Sequence, residues 1–356
     1  MRDLQARTAV VGCLSASFLL FFAALSLWAL TAVLLVHHSY GKEETIFFST
    51  NRLRDASAKC QYSSRRAPRL QFGTAGVRLL RTKAQLLQRP FLIAHCSILS
   101  ETSFTSLVHL QITPTSDGQP FVFVHGYRTS FVEAVGTMAQ LRRDLKLRGP
   151  TIAFSWPSAD TFSGYVADIY AADWSAAYAE HVLAQLTRLS SGTNVLAHSM
   201  GGQVVTKALE SGARPQPHQG DLSGVPRLNE LVFVAPDVDL DRFSQQLLAL
   251  QTMAHRITVY VAKTDRALWL STHLGKSSRL GRADDAARFA AMIDVVDVSA
   301  VEPDLLGIHH SYYKENSRVL EDEWAVLQTD LPPGRRFGLE RVNTNGLELW
   351  QLTPKP

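Results

Sequence analysis

The chain has 356 residues, of which 46% are hydrophobic and 19% charged, with a formal net charge of +4. That balance excludes a disordered chain and provides a well-buried core, with room for one large domain or two ordinary ones. Arg and Lys are scattered, with small groups at Arg65–Arg66 and Arg335–Arg336, so no basic stripe offers itself to nucleic acid and no such partner is expected.

Residues 1–7 form a short stub, and Thr8–Val36 is an uncharged apolar stretch that includes Phe18–Phe22 and Leu25–Leu35. A signal-peptide core takes about 7–15 apolar residues and a bilayer span about 20, so this stretch is long enough to cross a membrane and to stay there. Val10–Cys13 (V-V-G-C) has the form of a lipoprotein cleavage box, but no apolar region precedes Cys13, and Leu34–Tyr40 offers no A-x-A-like site. The reading is one N-terminal transmembrane helix, an uncleaved signal anchor at 8–36, with a linker at 37–45. Lys42, Arg52 and Arg54 after the span balance Arg2 and Arg7 before it, so charge alone does not orient it. A first span with a short stub ordinarily exports the chain on its C-terminal side. Cys60 and Cys96 would then meet an oxidising compartment, where a disulfide between them and two separate buried thiols are both open.

Ile46–Thr113 reads as the first, antiparallel strands, with candidates at Ile46–Thr50, Leu92–Ser97 and Leu107–Ile112. From Phe121 onward apolar runs alternate with amphipathic stretches. Strand Phe121–Val124 ends at His125–Gly126. Helix Ser130–Leu147 comes after it, opened by the capping box Ser130-x-x-Glu133, with apolar residues at Phe131, Val135, Met138, Leu141 and Leu145. Next come strand Thr151–Trp156, helix Ala176–Leu189, strand Asn194–Ala197 and a helical Gly202–Ala208. Strand Glu230–Val234, a helix near Asp241–Met253, strands Ile257–Val261 and Met292–Val298, and a last helix within Tyr312–Leu327 complete the series. Ser211–Asn229, with Pro215, Pro217, Gly220 and Pro226, reads as a surface insertion. The tail 331–356 carries Arg341–Gln351 around an Asn343-Thr344-Asn345-Gly346 turn, a candidate hairpin. Strands alternating with helices imply right-handed crossovers and an α/β fold, a mostly parallel central sheet with helices on both faces spanning 46–330.

The segment Ala197–Gly202 (A-H-S-M-G-G) reads as a nucleophile elbow. A serine projecting from a sharp strand-to-helix turn needs small residues two positions before and after it, and here these are Ala197 and Gly201. The motif alone is weak, since roughly one chain of this length in four matches it by chance, but strand, serine turn and helix occur in the required order. Functional groups in such sheets gather beyond the carboxyl ends of the strands. After the strands come His125-Gly126-Tyr127-Arg128, then Ser199, then Asp265, then His309 and His310. Serine, acid, histidine is the order of the α/β-hydrolases.

The chain resembles the α/β-hydrolase superfamily, and within it a bacterial esterase/lipase-like family of largely unassigned function. The segments that carry the resemblance are F-F-S-T-N-R (Phe47–Arg52), the Phe123 region through H-G-Y-R-T-S-F, F-S-W-P-S (Phe154–Ser158), A-H-S-M-G-G, L-V-F-V-A-P-D-V-D (Leu231–Asp239), Y-V-A-K-T-D-R-A-L (Tyr260–Leu268) and H-S-Y-Y (His310–Tyr313). The resemblance implies a serine hydrolase in which Ser199 attacks an acyl carbonyl, His310 moves the proton and Asp265 orients the imidazole. Backbone N–H groups of Tyr127 and Met200 would form the oxyanion hole. Asp237 is the alternative acid and His309 the alternative base. No metal and no cofactor are expected, and the remaining histidines fit neither a zinc spacing nor H-E-x-x-H. His198 and His125 read as packing residues, while Trp156 and Tyr165 are candidates to line an acyl pocket.

The function expected is a membrane-anchored esterase acting on small-molecule or lipid esters, single-pass in a bacterial inner membrane with the catalytic domain in the periplasm. A thioesterase or acyltransferase would use the same triad. A non-catalytic hydrolase-fold scaffold would be expected to have lost one member of it. Acyl-chain length, leaving group and oligomeric state are not written in the sequence.

Overall fold

The computed structural model describes residues 40–55, 60–80, 90–213, 227–263, 265–301, 312–344 and 346–354. The apolar stretch Thr8–Val36, most of the Ser211–Asn229 insertion, and His309 and His310 lie outside them. Among the described residues no helix is long and apolar enough to cross a membrane. The described residues divide into two compact units, one within 1–43 and 78–92 and one within 44–77 and 93–356. In the first, Arg78 pairs with Glu43 at 3.3 Å and the Leu80 amide donates to the Pro90 carbonyl at 3.0 Å.

Eleven strands form one sheet in the order β10-β11-β9-β8-β7-β6-β4-β5-β1-β2-β3. They are β1 Tyr40–Arg54, β2 Tyr62–Leu80, β3 Phe91–Leu99, β4 Phe121–Val124, β5 Thr151–Ser155, β6 Asn194–His198, β7 Leu228–Val234, β8 Ala254–Val261, β9 Asp294–Asp297, β10 Leu339–Thr344 and β11 Leu347–Leu352. The strands from β5 to β9 pair in parallel through β4, β6, β7 and β8. The sequence pattern puts Ile46–Thr50 among antiparallel strands, but β1 runs parallel to β5, with Phe47 opposite Ile152 and Thr50 opposite Ser155. The tail continues the sheet, since β10 and β11 pair antiparallel and β11 lies parallel to β9.

Leu107–Ile112 is not a strand. It belongs to α1 (Glu101–Gln111), capped by the Ser100 side chain, which accepts from the Ser103 amide. The alternation of L-V-H-L-Q-I imitates period two, whereas the buried pair Phe104 and Val108 stands four residues apart on one helix face. Helix α2 (Phe131–Asp144) opens with both hydrogen bonds of the Ser130–Glu133 capping box. Helix α3 spans Tyr165–Leu189, starting well before Ala176. Helices α4 (Gly201–Gly212), α5 (Leu240–Met253) and α6 (Arg266–Gly275) come next. The last helical stretch is broken: a single turn at Tyr312–Glu315 precedes α7 (Ser317–Thr329), whose first amides are capped by Asn316.

Strand residues sort by period two onto the sheet's two faces. Val122, Val124, Ile152, Phe154, Val195, Ala197, Leu231, Phe233 and Val259 share one core cluster with apolar residues of α3, α4 and α5. Their strand neighbours, such as Phe121, Phe123, Leu196 and Val232, are also buried, and Phe123 stacks on Tyr313 on the other side, at 6.0 Å between ring centroids. A strand buried on both faces needs a near-continuous apolar run, which is what F-V-F-V and L-V-F-V supply.

Beneath α7 this second face holds buried charges. Tyr260 donates to Asp322 at 2.7 Å, Arg336 pairs with Asp322 at 3.2 Å, and Arg256 stands 3.7 Å from Glu230. Neither carboxyl oxygen of Glu230 has a hydrogen-bond partner. Burial, opposed by Arg256, raises this carboxyl from 4.5 to about 8. Folded protein therefore holds a proton that unfolded chain releases, and stability declines as pH rises from about 4.5 to about 8. Glu230→Gln is expected to match the parent near pH 4.5 and to exceed it by about 1–3 kcal/mol near pH 8. Denaturant melts across that range check the slope, which the variant should lack.

Cys60 and Cys96 are joined by a disulfide, with Cα atoms 5.5 Å apart and a sequence separation of 36. The bond ties the turn between β1 and β2 to β3. By loop closure it contributes about 3–4 kcal/mol. Cys60→Ser with Cys96→Ser, compared with the parent under non-reducing conditions, should show a loss of that order in urea melts.

Candidate functional site

Ser199 stands between the end of β6 and α4 with φ +52, a left-handed conformation that a serine adopts only where the chain imposes it. Its backbone is fixed by neighbours of the sheet: the amide donates to the Val234 carbonyl at 3.0 Å, and its carbonyl accepts from Gly202 at 3.0 Å and Asp237 at 3.1 Å. Met200 is the N-cap of α4, so the positive end of the helix dipole faces the elbow. Two glycines let the parts close. A Cβ on Gly201 would lie 2.4 Å from the Val124 carbonyl oxygen, and one on Gly126 would lie 2.7 Å from Ser199 Cβ. The turn after β4 and the serine turn are therefore in contact, and only hydrogen atoms fit between them.

The elbow succeeds a buried strand in the middle of a parallel sheet, with the β4 turn packed on the serine, and the residue pattern of a known family covers most of this unit. A family model described as an alpha/beta hydrolase of unknown function (DUF900) matches residues 100–329. The chain belongs to the DUF900 alpha/beta hydrolases. No curated protein sequence matches it. Among solved structures, this hydrolase is similar to a thermostable esterase from Pseudomonas putida, at 13% identity over 82% of each chain with a TM-score of 0.34. It is similar also to a carboxyl esterase from Tuber melanosporum, at 10% identity over 81% of this chain and 85% of that one, with a TM-score of 0.33. A lipase-esterase related protein from Clostridium acetobutylicum matches at 13% identity over 59% of this chain and 82% of that one, with a TM-score of 0.23.

In this DUF900 hydrolase, Asp265 comes after β8 and is 2% exposed; its Oδ1 accepts from the Leu268 amide at 3.0 Å, making it the N-cap of α6. Asp237 comes after β7 and is held otherwise. Its Oδ1 accepts from Ser271 at 2.6 Å and faces Arg279 Nε at 3.2 Å, while Oδ2 accepts from Tyr165 at 2.8 Å. Burial, then the Asp237 charge, hold the Tyr165 phenol well above its ordinary value, so it remains a donor. The Tyr165 ring meets Tyr127 edge-on at 5.5 Å, and Tyr127 donates its hydroxyl to the Thr161 carbonyl at 3.0 Å. Tyr127 thus sits on the turn that touches Ser199. His309 and His310 lie outside the described residues. Tyr312, two positions after His310, is described: its hydroxyl donates to the Tyr260 carbonyl at 3.1 Å and accepts from the Ala235 amide at 3.0 Å.

His198 is buried and stacks on Tyr313 at 4.4 Å. Trp156 is fully buried; its Nε1 donates to the His125 carbonyl at 2.7 Å and its ring stacks on the His125 ring at 5.0 Å. It is a wall of the core and does not line an open pocket. His125 faces the Gly126 carbonyl through Nδ1 at 2.8 Å. A carbonyl only accepts, so Nδ1 carries the proton and Nε2 is an acceptor. Burial, then the Arg52 charge, pull its pKa from 6.5 to about 3, so the ring is neutral. Two site neighbours, Arg52 and Asp168, have no role that the sequence pattern suggests. Arg52 closes the F-F-S-T-N-R segment, and Asp168 falls in a stretch that the apolar spacing assigns to no element. The start of α3 at Tyr165, with an acid in its first turn, is the available signal for Asp168.

Proposed function

We propose that this DUF900 hydrolase cleaves carboxylic esters through an acyl-enzyme on Ser199. The observation that carries the reading is the Ser199 turn at φ +52 with Gly126 packed against it. Ser199 Oγ attacks the acyl carbonyl carbon while its proton passes to His310. The carbonyl oxygen, now negative, is received by the amides of Tyr127 and Met200. Collapse of the tetrahedral intermediate expels the alcohol, which takes the proton from His310, and water repeats the sequence to free the acid. Asp265 holds the imidazole. The hydrogen bonds that Asp237 already accepts from Tyr165 and Ser271, with the Arg279 charge beside it, favour Asp265 over Asp237 for that task.

The fold is held at the membrane by Thr8–Val36, single-pass, with the catalytic domain exported to the periplasm. The Cys60–Cys96 disulfide supports export, because such bonds persist in oxidising compartments. Substrates are small-molecule or lipid esters. A fluorophosphonate probe should label the folded wild type, which should also hydrolyse members of a p-nitrophenyl ester panel. A folded protein that resists the probe and leaves every ester intact would remove the esterase reading. Protease added to intact spheroplasts should digest the chain after Tyr40, and protection of that region would overturn export.

A further inference from the structure

Three segments of the sequence, Phe47–Arg52, His125–Thr129 and Phe154–Ser158, converge on one buried polar cluster whose task the triad does not explain. Arg52, at the end of β1, is 1% exposed. Its Nε donates to Ser155 Oγ at 2.9 Å and Nη1 to the Ser158 carbonyl at 3.1 Å. Nη2 donates to the Thr129 carbonyl at 2.5 Å and faces His125 Nε2, an acceptor, at 3.5 Å. Asp168, in the first turn of α3, is also 1% exposed. Its carboxylate accepts from the Ser158 hydroxyl, from the Ala159 amide at 2.7 Å and from the Arg128 amide.

The two charges therefore grip successive residues of one turn, Arg52 at the Thr129 carbonyl and Asp168 at the Arg128 amide. That turn needs gripping. Arg128 has φ +52, a conformation costly for a residue with a long side chain and kept only where the surroundings over-determine it. Further polar groups of the turn are tied as well: Trp156 donates to the His125 carbonyl at 2.7 Å, Thr129 Oγ1 to the Tyr127 carbonyl at 3.3 Å, and the Thr129 amide to Ser158 Oγ at 3.4 Å. Two buried charges are a poor device for stability alone, since apolar residues of the same volume serve as well or better. Here the bonds end on the peptide directly after Tyr127 and on the Thr129 carbonyl two residues further on, within the turn that carries the Tyr127 amide.

We propose that Arg52 and Asp168 are positioning residues for the oxyanion hole, holding the Gly126–Thr129 turn so that the Tyr127 amide points at the carbonyl oxygen of an acyl group on Ser199. This role rests on the esterase reading above. Asp168→Asn puts an amide donor among three donors, and Arg52→Met removes the Thr129 clamp. In both, kcat for p-nitrophenyl butyrate is expected to fall about 10–10²-fold with KM within about threefold, as for loss of part of an oxyanion hole. Inhibition by phenylboronic acid, whose adduct with Ser199 places an oxygen in the hole, should weaken by the same factor as kcat/KM. Loss of folding alone would scale the active fraction and leave that affinity unchanged.

If neither variant folds, amide hydrogen exchange on the wild type decides: the Arg128 and Thr129 amides, which the clamp ties to Asp168 and Ser158, should be protected to the level of β4, and exchange at open-loop rates overturns the clamp. Folded variants that keep the wild-type kcat overturn the positioning role alone. A wild type that neither labels nor hydrolyses overturns the esterase reading, and this role with it.

Discussion

Ser199→Ala is expected to lower ester hydrolysis on the order of 10⁶-fold, to abolish fluorophosphonate labelling, and to leave the unfolding midpoint within about 2 °C of the parent. In the proposed mechanism the chemical loss comes from removing the atom that bonds to the acyl group, and what survives comes from the oxyanion hole and binding. The fold persists because the elbow is held through main-chain atoms. The amide of residue 199 donates to Val234, its carbonyl accepts from Gly202 and Asp237, and alanine keeps all three bonds. The left-handed φ of +52 is imposed on alanine as on serine, so no new strain enters. Labelling that persists in this variant would move the nucleophile elsewhere; a midpoint lowered by many degrees would mean that the hydroxyl is part of the scaffold.

The fold class is legible in the sequence because the sheet is buried on both faces. Runs such as Phe121–Val124 and Leu231–Val234 are apolar at every position, and no exposed helix or solvated hairpin strand needs that. The elbow is legible because its geometry demands glycine: the contacts facing Gly126 and Gly201 leave no room for a methyl group, so the residues have to appear in the sequence. Long-range polar contact cannot be read in the same way. Arg52 reaches Ser158 and Thr129, and Asp168 reaches Arg128, through bonds with no local spacing rule. Helix α1 mimics a strand for a local reason, since exposed Leu110 and the C-cap Ile112 complete a false period of two with buried Val108. Asp237 and Asp265 look interchangeable in the sequence because each comes after a strand; that Asp237 accepts from Tyr165 and Ser271 and pairs with Arg279 follows from long-range contacts the sequence does not display.

Gly201→Ala should show the second large effect, destabilising the protein by about 2 kcal/mol and lowering kcat about 10²-fold. Helix propensity argues the other way, since alanine replaces glycine at the first turn of α4 and could gain up to about 1 kcal/mol. Sterics decide the sign. The new methyl carbon would stand 2.4 Å from the Val124 oxygen and 2.6 Å from the His125 oxygen, both main-chain atoms of the strand end and turn that present Tyr127. Neither atom can rotate away as a side chain could, so either α4 with Ser199 or the β4 turn must shift. A displacement of about 1 Å between the proposed nucleophile and the proposed oxyanion donors is enough to cost about 10²-fold in rate. Gly202→Ala provides the contrast: there the nearest atom is Val238 Cγ2 at 2.8 Å, the tip of a side chain, and a smaller effect on both quantities is expected. Urea melts and ester kinetics on the pair separate the two causes. If Gly201→Ala lowers kcat while Gly202→Ala does not, the serine turn works by its contact with the β4 turn; equal losses would mean that any added methyl at the helix start disturbs the elbow, and that the approach to Val124 and His125 has no special part in catalysis.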